Sequence, residues 1–206
     1  SWVRVKIRKY VKDDRKETYT PEEESIQVLD RKFKTDSQKI NFLSPFIHES
    51  LEDLKEKYKQ DKTSVGMIRV NPEKFYWEKD SREWDEKHLA ILNQQHLFHN
   101  KRPLDKIPYK FKLKYKCADN SKCKGHDQSI LIWNFQEGYR QFAKKYGSEE
   151  AALEKINEKA MKDYFSEDRA CFAIVGNLRA PKLRNIWIIG GLFTPKKISL
   201  AQQSLF

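Results

Sequence analysis

No apolar stretch in the 206 residues approaches the roughly 20 needed to cross a bilayer as a helix. The longest, "IWIIGGLF", has the length and character of a buried strand. The N-terminus lacks the basic, apolar and small-residue succession of a secretory signal. Cysteine is rare: three residues, an odd number with one close pair, which argues against a secreted disulfide scaffold. Together these absences point to a cytoplasmic protein with no membrane partner. Nucleotide hydrolysis and serine chemistry lose their sequence support as well, because no P-loop, G-x-G-x-x-G or G-x-S-x-G is present. Internal repeats and low-complexity tracts are missing too. The chain opens on Ser1 rather than Met, which points to an excised domain or a cloning scar.

What the chain has in excess is positive charge. Lysine and arginine number 41 against 30 aspartates and glutamates, for a net charge of +11. Such a surplus favours polyanionic partners, because each cation that meets a phosphate releases condensed counterions. The plain alternative is a lysine-rich soluble surface. Hydrophobic residues make up 38%, with 12 Phe, 9 Tyr and 5 Trp, enough for one well-buried core.

"WVRVKIRKY" alternates, with Val3, Val5 and Ile7 on one side and Arg4, Lys6 and Arg8 on the other, as a half-buried strand with a basic outer face would. Residues 12–37 are charged and turn-rich, with one short strand expected near Ile26–Leu29. In "SPFIHESLEDLKEKYKQ", Ser44 as cap, Pro45 at the first position and a stripe of Ile47, Leu51, Leu54 and Tyr58 predict a helix. "TSVGMIRV" predicts a strand that stops at Asn71-Pro72. Asp80 and Glu83 form a capping-box pattern for a helix through about His99. "IPYKFKLKYKC" is a second alternating strand, with Tyr109, Phe111, Leu113 and Tyr115 inward and Lys110, Lys112, Lys114 and Lys116 outward.

A helix bearing Leu131, Phe135, Tyr139, Phe142 and Tyr146 is expected to follow. Gly147 would end it and Ser148 would cap the next, whose face is Leu153, Ile156, Ala160 and Tyr164. Two apolar strands, "ACFAIVG" and "NIWIIGGLF", flank a basic loop with Arg179, Lys182 and Arg184. Mixed elements without strict βαβ alternation imply an α+β fold with a mainly antiparallel sheet. The expected organisation is one domain over residues 1–195 and a flexible tail over 196–206.

Cys117-x5-Cys123-x2-His126 places three zinc-capable donors within ten residues, with turn chemistry between the cysteines and Gly125 to let the backbone bend. Zinc favours thiolate and imidazole and takes four donors in structural sites. The fourth would come from Cys171, His88, His96, His99 or Asp127. A hairpin with free thiols and a Cys117–Cys123 disulfide are the competing readings. Neither H-E-x-x-H nor a deaminase pattern accompanies the cluster, so a closed structural site fits better than a catalytic one.

The blocks "IPYKFKLKYKC…CKGHDQSILIW", with "TSVGMIRV" upstream and "IWIIGGLF" downstream, resemble a family of uncharacterised prokaryotic proteins over roughly residues 1–195. The resemblance implies that Cys117, Cys123, Gly125, His126 and Trp133 matter together, and it supplies no reaction.

On one face of a strand, side chains repeat every ~6.8 Å, a spacing similar to that of phosphates along a nucleic-acid strand. Lys110, Lys112, Lys114 and Lys116 can therefore track a backbone, and Arg4, Lys6 and Arg8 offer a second ladder. Four to six phosphate contacts would give a log–log salt slope of roughly −3 to −5. Charge that blocks edge-to-edge aggregation explains the same lysines without a ligand.

The C-terminal "QQSLF" resembles the short peptide with which many bacterial DNA-processing proteins dock on the replicative sliding clamp. That resemblance implies docking through Gln202, Leu205 and Phe206, with Gln203 departing from the apolar residue often found at its position. The leading expectation is a domain that binds nucleic acid, DNA ahead of RNA, and carries a zinc knot. A metal-dependent nuclease and an interaction module for an acidic protein are the alternatives. For the nuclease, Glu137, Asp163, Glu167 and Asp168 are the acids nearest apolar elements, and they form no recognised spacing.

Overall fold

A computed structural model describes residues 2–86, 88–90, 92 and 105–197. Its spine is a 15-residue strand, β6 (Val65–Lys79), which pairs antiparallel with β9 (Cys171–Asn177) along its first half. Its second half pairs antiparallel with β7 (Tyr109–Cys117). β10 (Trp187–Phe193) and β8 (His126–Ser129) extend the two sides, giving the order β10-β9-β6-β7-β8. A two-residue strand, β5 (Ile47–His48), adds in parallel at Met67–Ile68, just where β7 ends at Val70. The sheet curls until its edges meet. Ile130 bridges Ile189, the Leu131 N–H donates to the Ile189 carbonyl, and the Gln128 amide donates to the Trp187 carbonyl. The fold is α+β with a mainly antiparallel sheet, as the sequence predicts.

β6 does not stop at Asn71-Pro72. The strand continues to Lys79 because the register with β7 shifts between Pro72 and Lys74, and a bulge is where a sheet tolerates a residue without an N–H. Alternation along β7 puts Phe111, Leu113 and Tyr115 in the interior. Burying such side chains stabilises the fold by roughly 1.5–3 kcal/mol each. Phe75 and Phe111 stack at 5.9 Å between centroids, and Phe135 closes on Phe75 at 5.0 Å. Phe135 comes from α3 (Trp133–Tyr146), which Gly147 terminates; the Ser148 hydroxyl then caps α4 (Glu149–Asp163) by accepting from the Ala151 N–H.

Several local expectations are corrected. The helix predicted after Ser44 starts six residues later, as α2 (Leu51–Asp61), with the Ser50 hydroxyl accepting from the Asp53 N–H. Ser44–Phe46 is a 3-10 turn, because Ile47 and His48 are drawn to the unpaired edge of β6. α2 then lies so close that a side chain at Gly66 would meet Leu54 at 2.9 Å and His48 at 2.7 Å. An unpredicted helix, α1 (Asp36–Leu43), buries only Ile40, which explains its weak pattern. Asp80 is no cap: its N–H donates to the Pro108 carbonyl and its carboxylate pairs with Lys106 and Lys110. Asp85 caps instead, accepting from the His88 N–H. A strand, β8, separates the cysteines from α3, so Leu131 lies outside that helix.

"WVRVKIRKY" is two short strands. β1 (Trp2–Arg4) pairs with β4 (Gln27–Leu29), and β2 (Ile7–Lys9) pairs with β3 (Tyr19–Pro21). The run breaks because the Lys6 N–H donates to the Ser25 hydroxyl and the Lys6 carbonyl accepts from Glu22. Val3 and Ile7 are each 52% exposed, so neither is core. This region is tied to the sheet by Asp13, whose carboxylate is 1% exposed and pairs with Arg15 at 2.8 Å and Arg184 at 3.1 Å. Lys196 bridges Arg169, and the Lys197 N–H donates to the Asp168 carbonyl, so the expected tail begins attached.

Hydrogen bonds from Arg15 hold the Asp13 carboxyl at about 2, well below the ordinary carboxylate range, against the opposing effect of burial. A depressed carboxylate stabilises the fold above its unfolded pKa and loses that contribution as pH falls through the folded value. Stability should therefore fall between about pH 4 and pH 2 more steeply in the native protein than in Asp13→Asn. At neutral pH, Asp13→Ala should cost about 2–4 kcal/mol in urea unfolding, because it removes the carboxylate that part-buried Arg15 pairs with and leaves Arg184 with Asp14 alone.

Candidate metal centre and lysine face

The β7–β8 register sets Tyr115 opposite His126, which places His126 diagonal to Cys117 on the inner face. Between them the chain turns at Asn120, whose carbonyl accepts from the Cys123 N–H and whose side chain accepts from the Lys122 N–H. Gly125 completes the return with φ +95°, a backbone conformation that glycine adopts at little cost. The Cys117 and Cys123 sulfurs then stand 3.4 and 3.3 Å from the His126 Nε2. Cys123 Sγ also accepts from the Cys117 N–H at 3.3 Å and the Gly125 N–H at 3.4 Å.

The three ligand atoms lie within 4.8 Å of one another, and this group can hold a metal ion. Among the described residues it is the one cluster of three or more histidine, cysteine or acidic side chains with that capacity. Burial pushes the Cys117 thiol up to about 12, against the opposing pull of the Leu51 amide. Burial also lowers the His126 pKa, favouring the neutral imidazole that a metal needs.

Of the fourth donors that the sequence suggests, the described ones go elsewhere. Cys171 pairs with Val70, which itself pairs with Cys117, so it lies two strands away. His88 is exposed and bonded to Asp85. Asp127 points outward, accepting from the Tyr76 hydroxyl and pairing with Lys112. His96 and His99 lie outside the described residues. Glu52, in the first turn of α2, is not among the donors expected from the sequence, and its Oε2 stands 3.4 Å from His126 Nε2. Nothing in the local pattern marks a glutamate 65 positions before Cys117.

The lysine ladder is real as geometry, and each of its members faces a carboxylate. Lys110 pairs with Asp80 at 3.1 Å and Lys112 with Glu78 at 3.1 Å, while Lys116 lies 3.4 Å from Glu73. Lys114 lies 4.0 Å from Asp127. Hydrogen bonds to Tyr76 and Glu78 hold the Lys112 ammonium above its ordinary pKa. On the same face, Lys74, Lys112 and Lys114 surround the Tyr76 ring at 5.4–5.7 Å from its centroid. The aromatic residues that alternate with the ladder lysines, Tyr109, Phe111 and Tyr115, lie on the opposite side, as the sequence predicts; Tyr76 was not expected here because β6 was expected to end before it.

Arg4, Lys6 and Arg8 are exposed on the small N-terminal ribbons, in sheets separate from the ladder, and Arg4 and Lys6 share a surface depression with Glu22, Glu23 and Glu24. Arg179 lies over Tyr10 at 4.9 Å, and Lys182 is exposed. Arg184 is mostly buried, donating to Asp14 at 2.6 Å and to the Tyr58 hydroxyl at 3.0 Å as well as to Asp13. Its guanidinium joins the N-terminal region to the domain. Gln202, Leu205 and Phe206 lie outside the described residues. No helix among the described residues is long and apolar enough to cross a membrane.

The thiols should separate by reactivity. Cys117 and Cys171 are buried and burial pushes both thiols up to about 12, whereas Cys123 is only partly buried. In metal-free protein at pH 7, one thiol should react rapidly with a chromogenic disulfide and two only on unfolding. Cys123→Ser should abolish the rapid phase alone.

No curated protein and no solved structure matches the chain. A family model does match, over residues 47–206, a span that holds the metal cluster, Glu52 and the lysine face and leaves out Arg4, Lys6, Arg8 and Asp13. The chain belongs to the family which that model describes, DUF8757, a domain of unknown function.

Proposed function

We propose that this chain is a nucleic-acid-binding domain, directed to DNA ahead of RNA, whose lysine-bearing hairpin is held in place by a structural zinc ion. The observation that carries the reading is one sheet face that bears Lys74, Lys110, Lys112, Lys114 and Lys116, three of which, Lys74, Lys112 and Lys114, surround a single ring, Tyr76. Cations at strand spacing follow a phosphate backbone, and an aromatic ring among them offers a base a stacking surface.

The carboxylates on that face temper the affinity without closing the surface. Lys110, Lys114 and Lys116 remain 50–58% exposed, and ion pairs so placed contribute about 0–1 kcal/mol each. A phosphate can take over such a lysine at small cost. Residues 105–130 hold seven lysines against three aspartates, +4 of the net +11. Zinc suits two sulfurs and one imidazole nitrogen better than magnesium or calcium, which prefer oxygen donors. Such an ion would tie the end of β7 to β8 and so brace the strand that carries the ladder.

Fluorescence anisotropy with labelled single- and double-stranded DNA and RNA tests the proposal. Binding should be salt-sensitive, with a log–log slope of about −3 for four phosphate contacts. Replacing Lys110, Lys114 and Lys116 by Ala should flatten that slope. Tyr76→Ala should weaken binding to single strands by about 1–3 kcal/mol with little change of slope. A chelator should lower the melting temperature, and added zinc should restore it. Absence of binding to every nucleic acid at low salt would overturn the nucleic-acid reading. Cleavage that requires a divalent ion would make the protein a nuclease, and equal affinity for acidic polypeptides would make it an interaction module.

A further inference from the structure

Three acceptors converge on a single nitrogen: Cys117 Sγ at 3.4 Å, Cys123 Sγ at 3.3 Å and Glu52 Oε2 at 3.4 Å, all from His126 Nε2. A neutral imidazole nitrogen offers one proton or one lone pair, so it can satisfy one of the three. One hydrogen bond at that nitrogen therefore leaves two of the three contacts over, whereas a shared cation accounts for all of them. Around tetrahedral zinc, donor separations are about 3.5 Å between sulfur and nitrogen and about 3.3 Å between nitrogen and oxygen. The three distances to His126 Nε2 are close to those edges, and the group whose donor atoms all lie within 4.8 Å of one another is Cys117, Cys123 and His126 without Glu52, so the Glu52 carboxylate would swing inward to close the tetrahedron.

We propose that Glu52 is the fourth donor of this site, making it a centre of two cysteines, one histidine and one glutamate that fastens the first turn of α2 to the β7–β8 hairpin. The inference rests on the metal reading above and is independent of nucleic-acid binding. Leu51 is buried beside Glu52, and the Ser50 cap fixes where α2 begins, so the backbone at Glu52 is held over the cluster. The Glu52 side chain is 56% exposed and its other charged neighbour is Lys55 at 4.0 Å, which leaves the carboxylate free to swing onto an ion. Two thiolates and a carboxylate around a divalent ion carry a net charge of −1, and Lys55 offsets it. The residues from Glu52 to Cys117 then form one loop closed by the metal, and closing a long loop restricts the unfolded chain.

Cobalt(II) is the probe, because its thiolate charge-transfer bands and its ligand-field bands report donor type and coordination separately. The wild-type chain should bind one cobalt ion with bands of two thiolates and a four-coordinate ligand field. Glu52→Ala should keep the thiolate bands, alter the ligand field and bind at least about tenfold more weakly in competition with a chromophoric chelator. Glu52→Cys should regain the affinity and raise the thiolate intensity by about half, since three sulfurs replace two. This variant separates a lost donor from a damaged fold. Equal affinity and an unchanged ligand field in Glu52→Ala would overturn the assignment of Glu52 while leaving the three-donor site standing. A wild-type protein without cobalt–thiolate bands would overturn the metal reading itself, and this inference with it.

Discussion

The antiparallel pairing of β6 with β7 is the constraint from which the rest follows. Its register sets Phe75 opposite Leu113 and Trp77 opposite Phe111, and sends Lys110, Lys112, Lys114 and Lys116 to the solvent side. A slip of one residue would exchange the two faces and put lysines into the core. The same pairing carries Cys117 inward at the end of β7, where the fold of β8 onto β7 can deliver His126. Interior packing and the donor cluster are thus two results of one alignment. The bulge at Pro72 lets a single strand serve β9 along one half and β7 along the other.

Charge in this molecule is arranged more evenly than its total suggests. The lysine face includes Glu73, Glu78, Asp80 and Asp127, and the basic loop after β9 turns Arg184 inward onto Asp13 and Asp14. A cation counted in the sequence is therefore of two kinds. Arg184 is mostly withdrawn from solvent and holds two parts of the chain together. Lys110, Lys114 and Lys116 are paired in water, where a pair is cheap to exchange. Only the second kind can exchange a carboxylate for an incoming phosphate.

Legibility tracked the range of the interaction. Strands with strict alternation, such as β7, and helices with clear caps, such as α4, were readable because the residues that decide them are neighbours in sequence. The local pattern put the start of α2 at Ser44, but the open edge of β6 captures Ile47 and His48, and Ser50 caps the helix instead. "WVRVKIRKY" alternates as well as β7 does, but a hydrogen bond from Lys6 to Ser25 divides it. Alternation shows that two faces are possible; a partner strand decides whether they form.

The sequence alone determined the donor types, Cys117, Cys123 and His126, since their spacing and the glycine between them lie within ten residues. It also determined that four lysines share one side of a strand, because the period of two is a property of the backbone. Tertiary structure decided which distant residues join them. Glu52 reaches His126 because α2 lies close over the glycine of β6, and Tyr76 reaches the lysines because β6 runs on past Pro72. Contacts between residues dozens of positions apart leave no local period or spacing, so only the packed chain reveals them.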